Sequence, residues 1–339
     1  MPRLAVRGEA DDLARFRRLL IATIAATFAL IVLGGVVRVS DSGLGCGAAG
    51  TGTQGWPLCG GRVLPFLQEH QVIEFSHRAV ATVVVVLIAA LAIQAFRRLR
   101  DSRWLVRGTV AAAVLVVAQA ALGGLTVEHG LHSALVAAHL GLAMLLLGLL
   151  ITLYRLAQPP GRPSAVAGSR AVRASAAVAT VLLLCTIVAG GYVAGTEGEG
   201  TPDQPALGAH LACGTEFPTC LGRFMPFQYG RLVDIQLTHR LFMYLTAVAV
   251  VTMSALALRR GVRDRAFYVA PFLLVGQILL GAMNVWLGKH PGLIVAHLTL
   301  ATVLWATVVY AASSLLVAPA RARHRVDGQQ PSETQAVTA

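Results

Sequence analysis

Four histidines lie in stretches of this chain that are otherwise nearly free of charge: His77, His139, His239 and His297. An imidazole in such a setting is costly unless it is paired or bound to a metal, so each begins as a functional candidate. A lone one would more often be a hydrogen-bonded packing residue, but these four recur in register. Ser76-His77-Arg78 is echoed by Thr238-His239-Arg240, and Val136-Ala137-Ala138-His139 by Ile294-Val295-Ala296-His297. Between the members of each pair stand Gln119 with Leu122-Gly123 and then Gln277 with Leu280-Gly281. Ahead of each pair come two glycines, Gly34-Gly35 and Gly190-Gly191, followed by two cysteines. Separations of 162 residues from His77 to His239 and 158 from His139 to His297 make a tandem, parallel repeat the simplest account.

The elements that carry these residues must be membrane helices. The chain of 339 residues is 56% hydrophobic and 13% charged, too apolar for a soluble domain of its length. A hydrocarbon core needs roughly 20 apolar residues to cross. Suitable runs occur at 19–37, 72–96, 108–127, 133–154, 174–196, 232–258, 266–288 and 291–320, which makes eight. The first follows Arg15, Arg17 and Arg18 as a secretory signal would, but it is too long and no cleavage site follows it. A formal net charge of +12 would suggest nucleic acid for a soluble protein; here it reads as topology. Arginines crowd the N-terminus, the 97–107, 155–173 and 259–265 loops and the C-terminal tail, which places both termini in the cytoplasm and excludes a nucleic-acid partner. The expected fold is all-α: eight transmembrane helices as two pseudo-symmetric four-helix bundles, 18–157 and 173–318, with a disordered cytoplasmic tail at 321–339. Four helices per unit preserve orientation, so each repeat presents its histidines in the same sense.

Helices 2, 4, 6 and 8 all run inward from the outer face, and their histidines lie within roughly two turns of the outer ends, at similar depth. Each half can thus offer two imidazoles to one metal centre. Zinc would ask for a third or fourth ligand at tight spacing, and none accompanies either pair. Two imidazoles across a helical bundle suit haem, which needs axial ligands and an apolar slot. Arg78 and Arg240, next to the first histidine of each pair, can meet haem propionates or snorkel to lipid phosphate. The glycine pairs serve either close helix packing or room for a flat ligand. His70, His129, His132, His210 and His290 fall in outer loops and are weaker candidates.

Cys46 and Cys59 share the first long outer loop and Cys213 and Cys220 the third, whereas Cys185 is alone in a helix. Paired cysteines in an oxidising compartment read as disulfides, with metal binding an open alternative for Cys213 and Cys220. The halves differ three residues before the first histidine, on the same helical face, where Glu74 is matched by Gln236. Arg38 is likewise matched by Ala194. A carboxylate beside a haem can move protons and an amide cannot, which suggests a reactive first half and a holding second half.

Over about 19–318 these residues, in order and repeated, make the chain resemble the haem A synthase family. The resemblance rests on Gly-Gly-Val-Val-Arg with Ser42-Gly43-Leu44, on Trp56-Pro57-Leu58-Cys59, Glu74 with His77-Arg78, Gln119 with Leu122-Gly123-Gly124, His139, and their second-half counterparts including Asn284. It implies an oxidoreductase of the cell membrane that turns the C8 methyl group of haem O into the formyl group of haem A. It also implies a haem B cofactor held by His239 and His297, with substrate near His77, His139 and Glu74. Haem O synthase and cytochrome oxidase assembly factors are candidate partners, beside an unidentified electron donor or acceptor. In one respect the chain departs from the family pattern: a Gly-rich insert, 47–55, separates Cys46 from Cys59. Two other readings remain on residues alone, a dihaem quinol-oxidising carrier and a haem transporter or assembly factor.

Overall fold

A computed structural model describes residues 2–64, 68–158, 169–198 and 208–316 of the chain. The expected tail at 321–339 lies outside the described residues. Eight α-helices follow one another: α1 (Pro2–Val39), α2 (Glu69–Arg98), α3 (Arg103–Glu128), α4 (Ser133–Leu156), α5 (Arg170–Gly195), α6 (Arg231–Arg259), α7 (Ala266–Trp286) and α8 (Pro291–Leu316). All eight are long and apolar enough to cross a membrane, and among the described residues there is no β-strand. In hydrocarbon every backbone N–H and C=O must be satisfied within the segment, which favours helix throughout these runs. Large apolar side chains such as Val86, Val114, Val117, Val181, Val248 and Phe272 remain exposed on the outer helical faces, as a lipid-facing surface requires. The chain is a multi-pass membrane protein.

The helices pack in two successive sets. In the first, α1 packs on α2, α2 on α3, α3 on α4 and α1 on α4; in the second, α5 packs on α6, α6 on α7, α7 on α8 and α5 on α8. The sets meet along α1, α4, α5 and α8. At this seam Trp305 of α8 donates to the Met144 carbonyl of α4 at 2.8 Å, and its ring lies over Gly148. One apolar core fills the first set around Leu20, Leu91, Leu105 and Leu150. A second runs from Met144 and Leu147 of α4 through α5 to Phe267 and Leu304, so α4 belongs to both.

Short connections recur at matching places. The turn from α3 to α4 uses Gly130 and Leu131 at φ 62° and 60°, and that from α7 to α8 uses Gly288 and Lys289 at 68° and 63°. Both close with an N–H five residues beyond its acceptor, Leu131 to the Thr126 carbonyl at 2.8 Å and Lys289 to the Asn284 carbonyl at 3.1 Å. The first residue of the next turn is a histidine in each case. His132 Nδ1 accepts from the Ala134 N–H and His290 Nδ1 from the Gly292 N–H, so these two imidazoles cap α4 and α8 in the manner of an Asn or Ser.

Candidate functional site

The depth expected for the four histidines recurs in the helices. His77 and His239 lie eight residues into α2 and α6, and His139 and His297 six residues into α4 and α8. At ~1.5 Å per residue, the two members of each pair differ by only about 3 Å in depth along their helices.

Each ring rests on a glycine of the preceding helix. A Cβ on Gly34 of α1 would lie 3.2 Å from His77 Cε1, and one on Gly190 of α5 2.9 Å from His239 Cε1. Gly123 of α3 and Gly281 of α7 stand in the same relation to His139 and His297, at 3.1 and 2.9 Å. Any side chain at these four positions would push an imidazole out of place. The second glycine of each pair does different work: Gly35 faces Leu298 of α8 at 2.7 Å, and Gly191 faces Leu140 and the Ala137 backbone of α4 at 3.0 and 3.3 Å. The expected close helix packing falls to the second glycine of each pair, while the first makes room for an imidazole, because successive positions on a helix point about 100° apart.

The hydrogen bonds show which ring nitrogens are free. His239 Nδ1 lies 3.0 Å from the Thr186 carbonyl of α5, which can only accept, so Nδ1 carries the proton and Nε2 presents its lone pair. His77 Nδ1 and His139 Nδ1 are buried without a partner. Gln119 Nε2 donates to the His139 carbonyl at 3.0 Å and Gln277 Nε2 to the His297 carbonyl at 3.1 Å, each fixing the backbone of a histidine turn from the neighbouring helix. The Gln119 amide nitrogen also lies 3.2 Å from His139 Nε2, and that of Gln277 lies 3.2 Å from both ring nitrogens of His297. Equal distance to both nitrogens means that the Gln277 amide points along neither lone pair. All four rings are only half-buried, and within each half the two imidazoles lie within electrostatic reach of one another. Among the described residues no group of three His, Cys, Asp or Glu side chains could cage a metal ion. Two imidazoles per half, backed by glycine and with nitrogens left over, fit the axial ligation of a haem and not a zinc cage.

A disulfide loop is bound to the helix that carries the first histidine of each pair. Cys46 is bonded to Cys59 and Cys213 to Cys220, and Cys185 is free. Each second cysteine forms an antiparallel bridge with the arginine three residues on, Cys59 with Arg62 and Cys220 with Arg223. The arginines after the first histidines hold these loops. Arg78 donates to the carbonyls of Leu58 at 2.9 Å and Gly55 at 2.8 Å; Arg240, buried, donates to those of Thr219 and Glu216, both at 2.8 Å. Glu74 adds a tether that, among the described residues, Gln236 does not match in the second half. Its Oε2 accepts from the Cys46 N–H at 2.7 Å, and its Oε1 pairs with Arg78. Gln236, equally buried, leaves its Oε1 without a partner.

Arg38 reaches across the seam. It donates to the carbonyl of Ala194, its own counterpart in the repeat, at the C-terminal end of α5 where a cation is favoured. Glu197 pairs with Arg38 at 3.1 Å and with Lys289 at 2.6 Å. A cavity of about 480 Å³ opens beside this cluster, and none of the four histidines lines it. Among the weaker histidines, His70 Nδ1 lies 3.0 Å from Ser42 Oγ, and His129 Nδ1 is 3.0 Å from its own helix carbonyl at Leu125. His210 Nε2 lies 3.4 Å from the Asn284 carbonyl. Burial and the nearby Lys289 hold the His210 imidazole below its ordinary pKa, against the Asn284 carbonyl and Glu197 that favour its proton. Sequence reasoning gave no role to Thr186, Gln119, Gln277 or Glu197; only the repetition of the two glutamines signalled anything.

Known proteins are similar to this chain in sequence. A heme A synthase of Alkalihalophilus pseudofirmus is 32% identical over 292 residues, spanning 83% of this chain and 91% of that protein. Heme A synthases of Shouchella clausii and Halalkalibacterium halodurans are 29% and 28% identical, covering 78% and 83% of this chain and 85% and 90% of their own lengths. The model of the COX15-CtaA family, described as cytochrome oxidase assembly protein, matches residues 17–309, nearly the whole membrane region and both histidine pairs. The chain belongs to the COX15-CtaA family of cytochrome oxidase assembly proteins.

Proposed function

We propose that this chain is a haem A synthase of the cell membrane, an oxidoreductase that converts the C8 methyl group of haem O to a formyl group. The observation that carries the reading is the pair of glycine-backed histidines found once in each half. The first half, 18–157, takes haem O between His77 and His139; the second, 173–318, holds haem B between His239 and His297. When bound there, that haem supplies one-electron redox chemistry. Both sites face the extracytoplasmic side, where the disulfide loops lie, and both termini are cytoplasmic.

The residues divide the work unevenly. Thr186 fixes the tautomer of His239, so Nε2 stands ready as a ligand before any haem arrives. His77 has no such partner on Nδ1, which suits a site that must release its occupant. Oxidising a methyl group requires protons to leave the carbon. Glu74, three residues before His77 on the same helical face, would accept them on giving up its bond to Arg78 or to the Cys46 N–H, while the electrons pass to an acceptor that the chain does not itself supply; Gln236 at the matching place accepts no proton. Arg78 and Arg240 hold the loops over the sites through backbone carbonyls, leaving Arg240 Nε buried and unpaired for a haem carboxylate.

Purified protein tests this division. It should carry a low-spin b-type haem that His239→Ala or His297→Ala abolishes or alters, while His77→Ala and His139→Ala keep it and lose product formation. Unchanged haem content and spectrum in both second-half variants would reject the assignment.

A further inference from the structure

The halves differ at the 3-10 turn that precedes the first cysteine of each disulfide loop. In the second half Ala209–Leu211 forms a single 3-10 turn. It is pinned to the end of α5, where Thr196 Oγ1 accepts the Ala209 N–H at 2.8 Å, and both residues are fully buried. The central residue, His210, reaches over to α7, with Nε2 3.4 Å from the Asn284 carbonyl. Asn284 is itself buried, and its side-chain amide donates to Leu280 of its own helix at 3.1 Å and to Leu293 of α8 at 3.2 Å. Two side chains thus join the loop, α7 and α8. The His210 ring lies within electrostatic reach of both His239 and His297.

Counted back from the first cysteine of each loop, Gly43 stands where the second half has His210. It is the centre of the matching 3-10 turn, Ser42–Leu44, and a Cβ there would lie 2.8 Å from Leu131 Cδ1. Counted along the repeat, Thr126 stands where the second half has Asn284, and its hydroxyl bonds back to Leu122 of its own helix at 2.8 Å. Among the described residues Thr126 therefore makes no tie to α4. The first loop meets α3 elsewhere, through Trp56 against Gly124 and the exposed Gly52 N–H to Glu128 Oε2 at 3.2 Å.

We propose that His210 and Asn284 form a brace across the mouth of the second haem site that ties its loop to α7 and α8 and keeps its haem resident, whereas the first loop is tied to α2, through Ser42 with His70 and Cys46 with Glu74, and Gly43 and Thr126 make no such brace to α3 and α4. The proposal rests on the assignment of cofactor to the second half and substrate to the first. A haem leaves a bundle only when the loop and helix ends around its edge part, so bonds that span those elements must break first. Bonds confined to one helix need not. His210 and Asn284 act as positioning residues: their effect is on how often the site opens and not on the iron.

The test is haem loss from the purified, haem-loaded protein to excess apomyoglobin, followed by absorbance, for wild type, His210→Gly, Asn284→Thr and the double variant. Each single variant should start with the wild-type low-spin spectrum and lose haem roughly five- to tenfold faster, the factor set by one net hydrogen bond of about 1 kcal/mol. The double variant should lose haem faster than either single one, towards the product of the two factors, because Asn284→Thr keeps the main-chain carbonyl that His210 meets and removes a separate bond between α7 and α8. His210→Gln, which keeps a donor for the Asn284 carbonyl, should restore slow loss, a rescue that a general loosening of the fold would not give. Loss rates within twofold of wild type in both single variants overturn the brace while the cofactor assignment stands. Wild-type protein whose haem does not depend on His239 overturns both.

Discussion

Substituting Gly190 by alanine separates ligand geometry from stability. In an ordinary helix the change gains about 1 kcal/mol from backbone propensity. Here the new methyl would lie 2.9 Å from His239 Cε1 and 3.3 Å from Nδ1. Carbon atoms pack at about 3.5–4.0 Å, so the ring must retreat by more than half an ångström. The Nδ1 bond to the Thr186 carbonyl, now 3.0 Å, then stretches past hydrogen-bonding range at a cost of about 1 kcal/mol. The two terms nearly cancel, and the unfolding temperature of the haem-free protein should scarcely move. Haem should be lost nonetheless, because metal ligation tolerates displacements of only about 0.2 Å. Gly191→Ala, one residue along, should do the reverse. Its methyl would press on Leu140 and on the Ala137 backbone across the seam, an overpacking that costs about 1–3 kcal/mol, while haem content stays near wild type. Haem per protein by pyridine haemochrome and thermal unfolding in detergent read the two effects. Full haem content with an unaltered spectrum in Gly190→Ala would refute the reasoning.

Glu74→Gln should leave the second-half haem in place while formyl-haem production falls by roughly 10²-fold or more, as for a lost acid or base; near-normal turnover with haem O in excess would remove Glu74 from the mechanism. Alkylation of unreduced protein followed by mass spectrometry should find Cys46, Cys59, Cys213 and Cys220 blocked and Cys185 free. With sequence separations of 13 and 7, loop closure assigns the two bridges ~3 and ~2.5 kcal/mol of stability, and loss of either by Cys→Ser should show in thermal unfolding. Arg240→Lys should lower stability by about 2–3 kcal/mol, since one ammonium cannot span the Glu216 and Thr219 carbonyls as the guanidinium fork does. Arg78→Lys, at a more exposed loop edge, should cost less.

The repeat was legible because it is carried by residue types that a membrane helix does not otherwise need: His77 and His239, His139 and His297, Gln119 and Gln277, each in register. Helix number followed from six uncharged runs and two more that begin in segments carrying a His-Arg pair, although α1 begins well before the apolar stretch at 19–37, and Phe16 ahead of that stretch packs into the first core. The functions of neighbours were less legible. Nothing in Gly34-Gly35 says which glycine backs an imidazole and which meets another helix; that depends on the rotation of α1 against α2 and α8. The partners of Arg78 and Arg240 are backbone carbonyls, which leave no mark in a sequence, so a propionate or lipid phosphate suggested itself first. Arg38 and Ala194 were visible as an asymmetry of the repeat, but their contact with each other is a matter of the seam between the halves. His132 and His290 look like ligand candidates in isolation and turn out to cap helices. His210 looked no stronger than they did, because its meaning lies in Asn284 on another helix and in Gly43 in another half.

The most direct measurement of the central claim is the pigment content of membranes from cells that make haem O, with and without this chain. A haem carrying a formyl group in place of the methyl should appear only when the chain is present, and should fail to appear with His77→Ala or His139→Ala. Haem O remaining unconverted in those membranes beside abundant, haem-loaded protein would contradict the account.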